Sequence, residues 1–154
     1  MVARLKGLRL QITLLGLLFL SAGAIASKDI YTGWFSNTAV SGYDSVAYFT
    51  ESKAVKGSAR FKFKHKGAEW HFSSEKHLKM FQQNPEKYSP QFGGYCAWAV
   101  AARKQRAPGD PNYWKIVDGR LYLNYDSEIQ KKWLQDIPGF IKRANENWPK
   151  MTTR

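Results

Sequence analysis

Tyr113-Trp114-Lys115-Ile116-Val117-Asp118-Gly119-Arg120-Leu121-Tyr122-Leu123-Asn124 decides the fold. Two runs rich in aromatic and branched residues flank Asp-Gly, the pair that most readily adopts the two left-handed conformations of a tight type I′ turn. The period of two puts Trp114, Ile116, Leu121 and Leu123 on one apolar face. Upstream, Arg60 to Phe72 repeats the pattern, with Lys66-Gly67 at the turn. A two-residue turn there predicts Phe63 opposite Trp70 and Phe61 opposite Phe72, with Lys64 against Glu69 and Lys62 against His71 on the polar face; a bulge would shift this register.

Between and around the hairpins the pattern is helical. Ser73-Ser74-Glu75 offers hydroxyl caps and an acid for a first turn, and the helix runs through His77, Leu78 and Phe81 to stop before Pro85. Pro90 to Tyr95 reads as a loop, and Cys96 to Arg103 is alanine-rich and helix-favouring. Asp126 or Ser127 caps a helix carrying Ile129, Trp133 and Leu134. Ile137-Pro138-Gly139 breaks it, and a last helix carries Phe140, Ile141 and Ala144. Gly42-Tyr43-Asp44 is expected to turn into a short strand, Val46 to Phe49. Residues 27–40 read as an extended lead-in that Tyr31, Trp34 and Phe35 could pin to the body. Two hairpins forming a short antiparallel sheet, packed with several short helices, make a small single-domain α+β fold.

The N-terminus reads as a secretory signal peptide over residues 1–26. Arg4, Lys6 and Arg9 precede an apolar run, Leu10 to Leu20, and Ala24-Ile25-Ala26 is an A-x-A cleavage pattern. The expected location is secreted or periplasmic, with no stable membrane span after cleavage, since the run is short for one. The remainder divides into the lead-in, a domain over 41–149 and a short tail over 150–154. The net charge of +12 falls to +9 without the signal. The basic residues are scattered, with no arginine-rich stripe, so the charge reads as a solvated surface with weak attraction to anionic lipid or polysaccharide. A nucleic-acid partner is not expected.

With these landmarks, the chain resembles the YHS-domain family, and more narrowly its exported stand-alone branch of YHS domain-containing (seleno)proteins. The resemblance runs from about Ile30 to Pro149. It rests on four segments: Gly42 to Phe49, Gly93-Gly94-Tyr95-Cys96-Ala97-Trp98-Ala99-Val100, Pro108 to Pro111 with Trp114 to Tyr125, and Gln130 to Trp133 with Asp136 to Phe140. It implies a small α+β domain. In some members of the branch selenocysteine stands where Cys96 stands here, which implies redox or soft-metal chemistry at that position. YHS domains attached to heavy-metal transporters carry a cysteine pair near their start and another after the hairpin. This chain has Phe72-Ser73-Ser74-Glu75-Lys76-His77 at the second place, so a multi-thiolate site is excluded.

Cys96 is the only cysteine, so it forms no disulfide within the chain. Gly93 and Gly94 permit positive φ and close approach of a ligand or another backbone. Tyr95 and Trp98 would flank the sulfur, and the start of a helix favours a thiolate. The alternative is a small buried hydrophobe beside Ala97 and Ala99. His71 and His77 could point into one cleft and, if tertiary contact brings Cys96 to them, hold a transition-metal ion: copper by preference, zinc less so. The alternative is two solvated histidines, and His65 beside the turn is expected to be exposed. Asp44 with Tyr43 and Tyr48 could form an acid–hydroxyl network near the site, or simply an Asx turn.

Three functions follow. The first is a binding module for a metal ion or a periplasmic protein partner, metal- or redox-linked through Cys96. The second is a thiol oxidoreductase or peroxidase with Cys96 as the catalytic nucleophile and an external thiol as resolving partner. The third is a structural or partner-binding domain in which Cys96 is merely packed.

Overall fold

A computed structural model describes residues 28–152; the signal-peptide reading falls outside the described residues. The element order is α1 (Ala47–Thr50), β1 (Ser58–His65), β2 (Ala68–Phe72), α2 (Glu75–Gln83), α3 (Pro85–Tyr88), α4 (Ala97–Arg103), β3 (Asp110–Val117), β4 (Arg120–Asn124), α5 (Ser127–Leu134) and α6 (Ile137–Thr152). Each hairpin is its own two-stranded antiparallel sheet. The molecule is the α+β domain that its alternation of patterns predicts.

Both hairpins turn as expected. Asp118 and Gly119 sit at φ 49° and 70°, and Lys66 and Gly67 at 48° and 75°, the pair of left-handed residues that matches strand twist. Trp114 pairs with Leu123 and Ile116 with Leu121. In the first hairpin Phe63 faces Trp70, Lys64 faces Glu69 and Lys62 faces His71, but the register shifts between Ser58 and Lys62, and Ser58 rather than Phe61 pairs with Phe72. The bulge leaves Phe61 half-buried at the edge of the core.

The strand expected over Val46 to Phe49 is instead the turn of helix α1. Val46, Ala47 and Tyr48 are wholly buried on every side, and a short apolar run buried all round carries no period to separate strand from helix. The deciding group lies upstream. Asp44 Oδ1 accepts the backbone N–H of Val46 at 2.9 Å and of Ala47 at 3.3 Å, which caps the turn. Downstream, Ser74 caps α2 through the His77 N–H, Asn84 starts the additional helix α3 with Pro85 in its first turn, and Asp126 caps α5. Pro138 and Gly139, read as a break, lie inside the first turn of α6, where proline costs no intrahelical hydrogen bond.

Two apolar clusters meet at β4. Leu121 and Leu123 pack with Trp70, Phe72 and Phe81 of the first hairpin and α2, while Tyr122 on the opposite face packs with Val100, Trp133 and Ala144 of the helical half. The strand is thus buried on both faces, and its alternation assigns one face to each cluster. Asn147 of α6 donates to the carbonyls of Val100 and Ala101 at 3.0 and 3.1 Å, fastening α6 onto the end of α4.

Candidate functional site

Cys96 is the N-cap residue of α4 and is 1% exposed. Its backbone is held from both sides: its N–H donates to Ala107 O at 2.9 Å, and it forms a parallel bridge with Leu123. The loop before it is built to receive another backbone. Gly93 has φ 64°, its carbonyl accepts the Tyr31 N–H at 2.9 Å, and any side chain at position 93 would collide with the Asp29 carbonyl. The close approach that the glycines allow is therefore taken by the lead-in of the same chain. Tyr95 donates its hydroxyl to the Lys28 carbonyl and stacks at a tilt on Tyr31, so it ties the loop to the lead-in.

The sulfur itself faces polar groups. The thiol is 3.8 Å from Asn124 Oδ1, which also accepts the Trp98 N–H at 3.3 Å. Burial holds the thiol above its ordinary range, against a smaller opposing pull from the nearby backbone amides of Ala99, Tyr125 and Trp98. Asn124 is wholly buried, and its Nδ2 has no hydrogen-bond partner among the described residues. Sequence reasoning missed Asn124; the one available signal was a polar residue ending a run that is otherwise buried.

His71 and His77 are elsewhere engaged. His77 donates Nδ1–H to Asp44 Oδ2 at 2.7 Å, and its Nε2 lies 3.2 Å from Thr50 Oγ1. His71 Nε2 is 2.7 Å from Glu69 Oε1, and this bond, with Lys62, holds the Glu69 carboxyl below the usual range. Both rings are largely covered rather than solvated, as is His65, which packs on Trp70 and Phe81. Both nitrogens of His77 are occupied, the partners of His71 and of Cys96 have nothing in common, and among the described residues no group of three or more His, Cys, Asp or Glu could hold a metal ion. The three-ligand centre of Cys96, His71 and His77 does not fit the structure.

Asp44 joins no tyrosine network. Its Oδ2 accepts from Ser73 N at 2.8 Å, Ser73 Oγ at 2.6 Å and His77 Nδ1, while Oδ1 serves the two amides of α1. Tyr48 instead donates its hydroxyl to the Pro111 carbonyl at 2.8 Å, and burial raises its pKa. Asp44 is a tie between α1 and the start of α2. The serine and the carboxyl both sit at Nδ1 of the ring, so the Ser73–His77–Asp44 set lacks the arrangement of a catalytic triad, in which base and orienting acid use opposite nitrogens.

The fold and site thus define a small α+β module with one covered thiol at a helix start. The YHS-domain family model matches residues 46–92, the stretch from α1 to the loop that precedes Cys96. Neither a curated protein nor a solved structure matches it. The match includes both hairpin histidines and ends before the cysteine.

Proposed function

We propose that the protein is an exported YHS-type binding module whose chemistry, redox- or metal-linked, runs through Cys96 alone. The observation that supports this is the contact of the buried Cys96 thiol with Asn124 Oδ1 at 3.8 Å, on a side chain whose Nδ2 has no hydrogen-bond partner among the described residues. A thiol that only fills space needs no donors around it. A thiolate does, and so does an oxygen added to it, because each is an acceptor in a buried place. The unmet Asn124 donor therefore favours a redox-linked role over direct cation binding in the closed state. Since the sulfur is buried, it acts on local opening of the structure around it.

YHS domains are generally associated with metal binding, copper in particular. Here Cys96 is the one thiol, so a copper site built on thiolate would use it with a further donor supplied from outside the chain. The opposing reading, a packed thiol in a partner-binding domain, is favoured by its burial and raised pKa.

Two measurements on the purified protein and its Cys96→Ser variant separate the readings. Treatment with hydrogen peroxide, in which the thiolate displaces hydroxide from the O–O bond and becomes a sulfenic acid, is followed by mass after trapping with a sulfenate-selective diketone. Anaerobic titration with Cu(I) against a competing chelator is followed by the stoichiometry. Sulfenate at Cys96 supports the redox form and Cys96-dependent copper the metal form. A sulfur inert to both in the folded protein overturns the proposal in favour of packing.

A further inference from the structure

The lead-in is pinned by fewer side chains than its aromatics suggest. Tyr31 packs on Tyr95, but Trp34 is 91% exposed and Phe35 104% exposed. Two adjacent aromatic side chains stand free on a loop, following Gly33, around whose α-carbon nothing comes close. Burying either ring on the domain would be favourable by about 1.5–3 kcal/mol, so leaving both in water calls for an occupant that removes them from it.

We infer that Trp34 and Phe35 form a membrane-surface contact, and that the occupant is the interfacial region of an anionic phospholipid bilayer. Two observations carry this. Lys28 and Arg106 line the same 340 Å³ cleft as Trp34, so cations flank the aromatic tip. Their positions are fixed: Lys28 Nζ donates to Thr32 Oγ1 at 3.1 Å, and Arg106 lies over the rings of Tyr95 and Trp148 while donating to the Met151 carbonyl. Asp29 is the one acid in the adjoining segment. The whole chain carries a net charge of +12, which draws it to an anionic surface and opposes a second copy as the occupant. Aromatic rings at headgroup depth beside lysine and arginine are the combination that interfaces favour.

The test uses the full chain and vesicles of phosphatidylcholine with about 30% phosphatidylglycerol. Every variant shares the upstream apolar run, so differences report the loop. The Trp34→Ala/Phe35→Ala double variant is expected to partition about tenfold more weakly with unchanged thermal unfolding, since both rings are free of the core. Brominated lipid is expected to quench a component of the tryptophan emission that Trp34→Phe abolishes. Binding should weaken on pure phosphatidylcholine and in high salt. Equal quenching in wild type and Trp34→Phe overturns the inference. So does equal partitioning of the double variant, or a lipid-independent change in oligomeric state on removing the two rings, which would make the tip a protein contact.

Discussion

Asp44 and Cys96 are both buried polar side chains at the start of a helix, and they are satisfied to very different degrees. Asp44 gathers five donors, from Val46, Ala47, Ser73 twice and His77, each at 3.3 Å or less. Cys96 has a long contact to Asn124 Oδ1, and the Nδ2 of that same side chain has no partner among the described residues. A network whose partners are all met specifies one conformation and does nothing else. One left partly unmet retains capacity for a further acceptor. The contrast is between a saturated carboxylate that ties two helices together and a buried thiol with little polar company.

The largest effect should come from breaking the satisfied network. Asp44→Ala strands its donors beneath α1 and α2 and is expected to cost about 3–5 kcal/mol by denaturant unfolding; a loss under about 1 kcal/mol would remove the distinction between the two side chains. Next is Cys96. If the amides hold the sulfur as an acceptor, Cys96→Ser, whose oxygen accepts better, should be milder than Cys96→Ala, the latter costing about 2 kcal/mol. The reverse order would make Cys96 an apolar filler.

The raised thiol pKa gives a pH test with a fixed sign. Burial keeps the proton on the folded thiol after the unfolded one has lost it. Stability from this group is therefore complete below the ordinary thiol range and declines as pH rises through that range toward the folded value. Cys96→Ser should lose that alkaline decline, measured as the difference between the two unfolding free energies across pH 7 to 10. Alkylation of the native wild type should also lag the unfolded chain most within the ordinary thiol range. No difference would place the sulfur in an open state. The smallest effect is expected at Thr50. Its hydroxyl lies 3.2 Å from both His77 Nε2 and the Val46 carbonyl, and its one proton serves one of them at a time. Thr50→Val should cost about 1 kcal/mol or less by thermal unfolding, and a larger loss would extend the satisfied network past Asp44.

Much of the fold was legible because its signals are local. Asp118-Gly119 and Lys66-Gly67 each set a turn from two residues, and Ser74 and Asp126 cap their helices from three residues away. The errors came where a partner lies far along the chain. Val46 to Phe49 gives no period, and its helical turn depends on an Asp44 that is itself fixed by Ser73 and His77. The candidate site was half legible. Cys96 stood out by being single, and its place at a helix start followed from the glycines before it. The histidines were misplaced because nothing in their spacing reveals that Asp44 and Glu69 claim them.

By itself the sequence determined two hairpins, their apolar faces, the helix starts and the presence of one thiol with no second cysteine, since each depends on residues within one turn or one strand pair. Only the tertiary structure decided that this thiol is buried and set against Asn124 at the end of β4. It alone showed that His71 and His77 stand in separate networks, and that Trp34 and Phe35 are left in water. Burial and hydrogen-bond satisfaction are properties of what the rest of the chain brings to a residue, and the spacing of neighbours in sequence does not encode them.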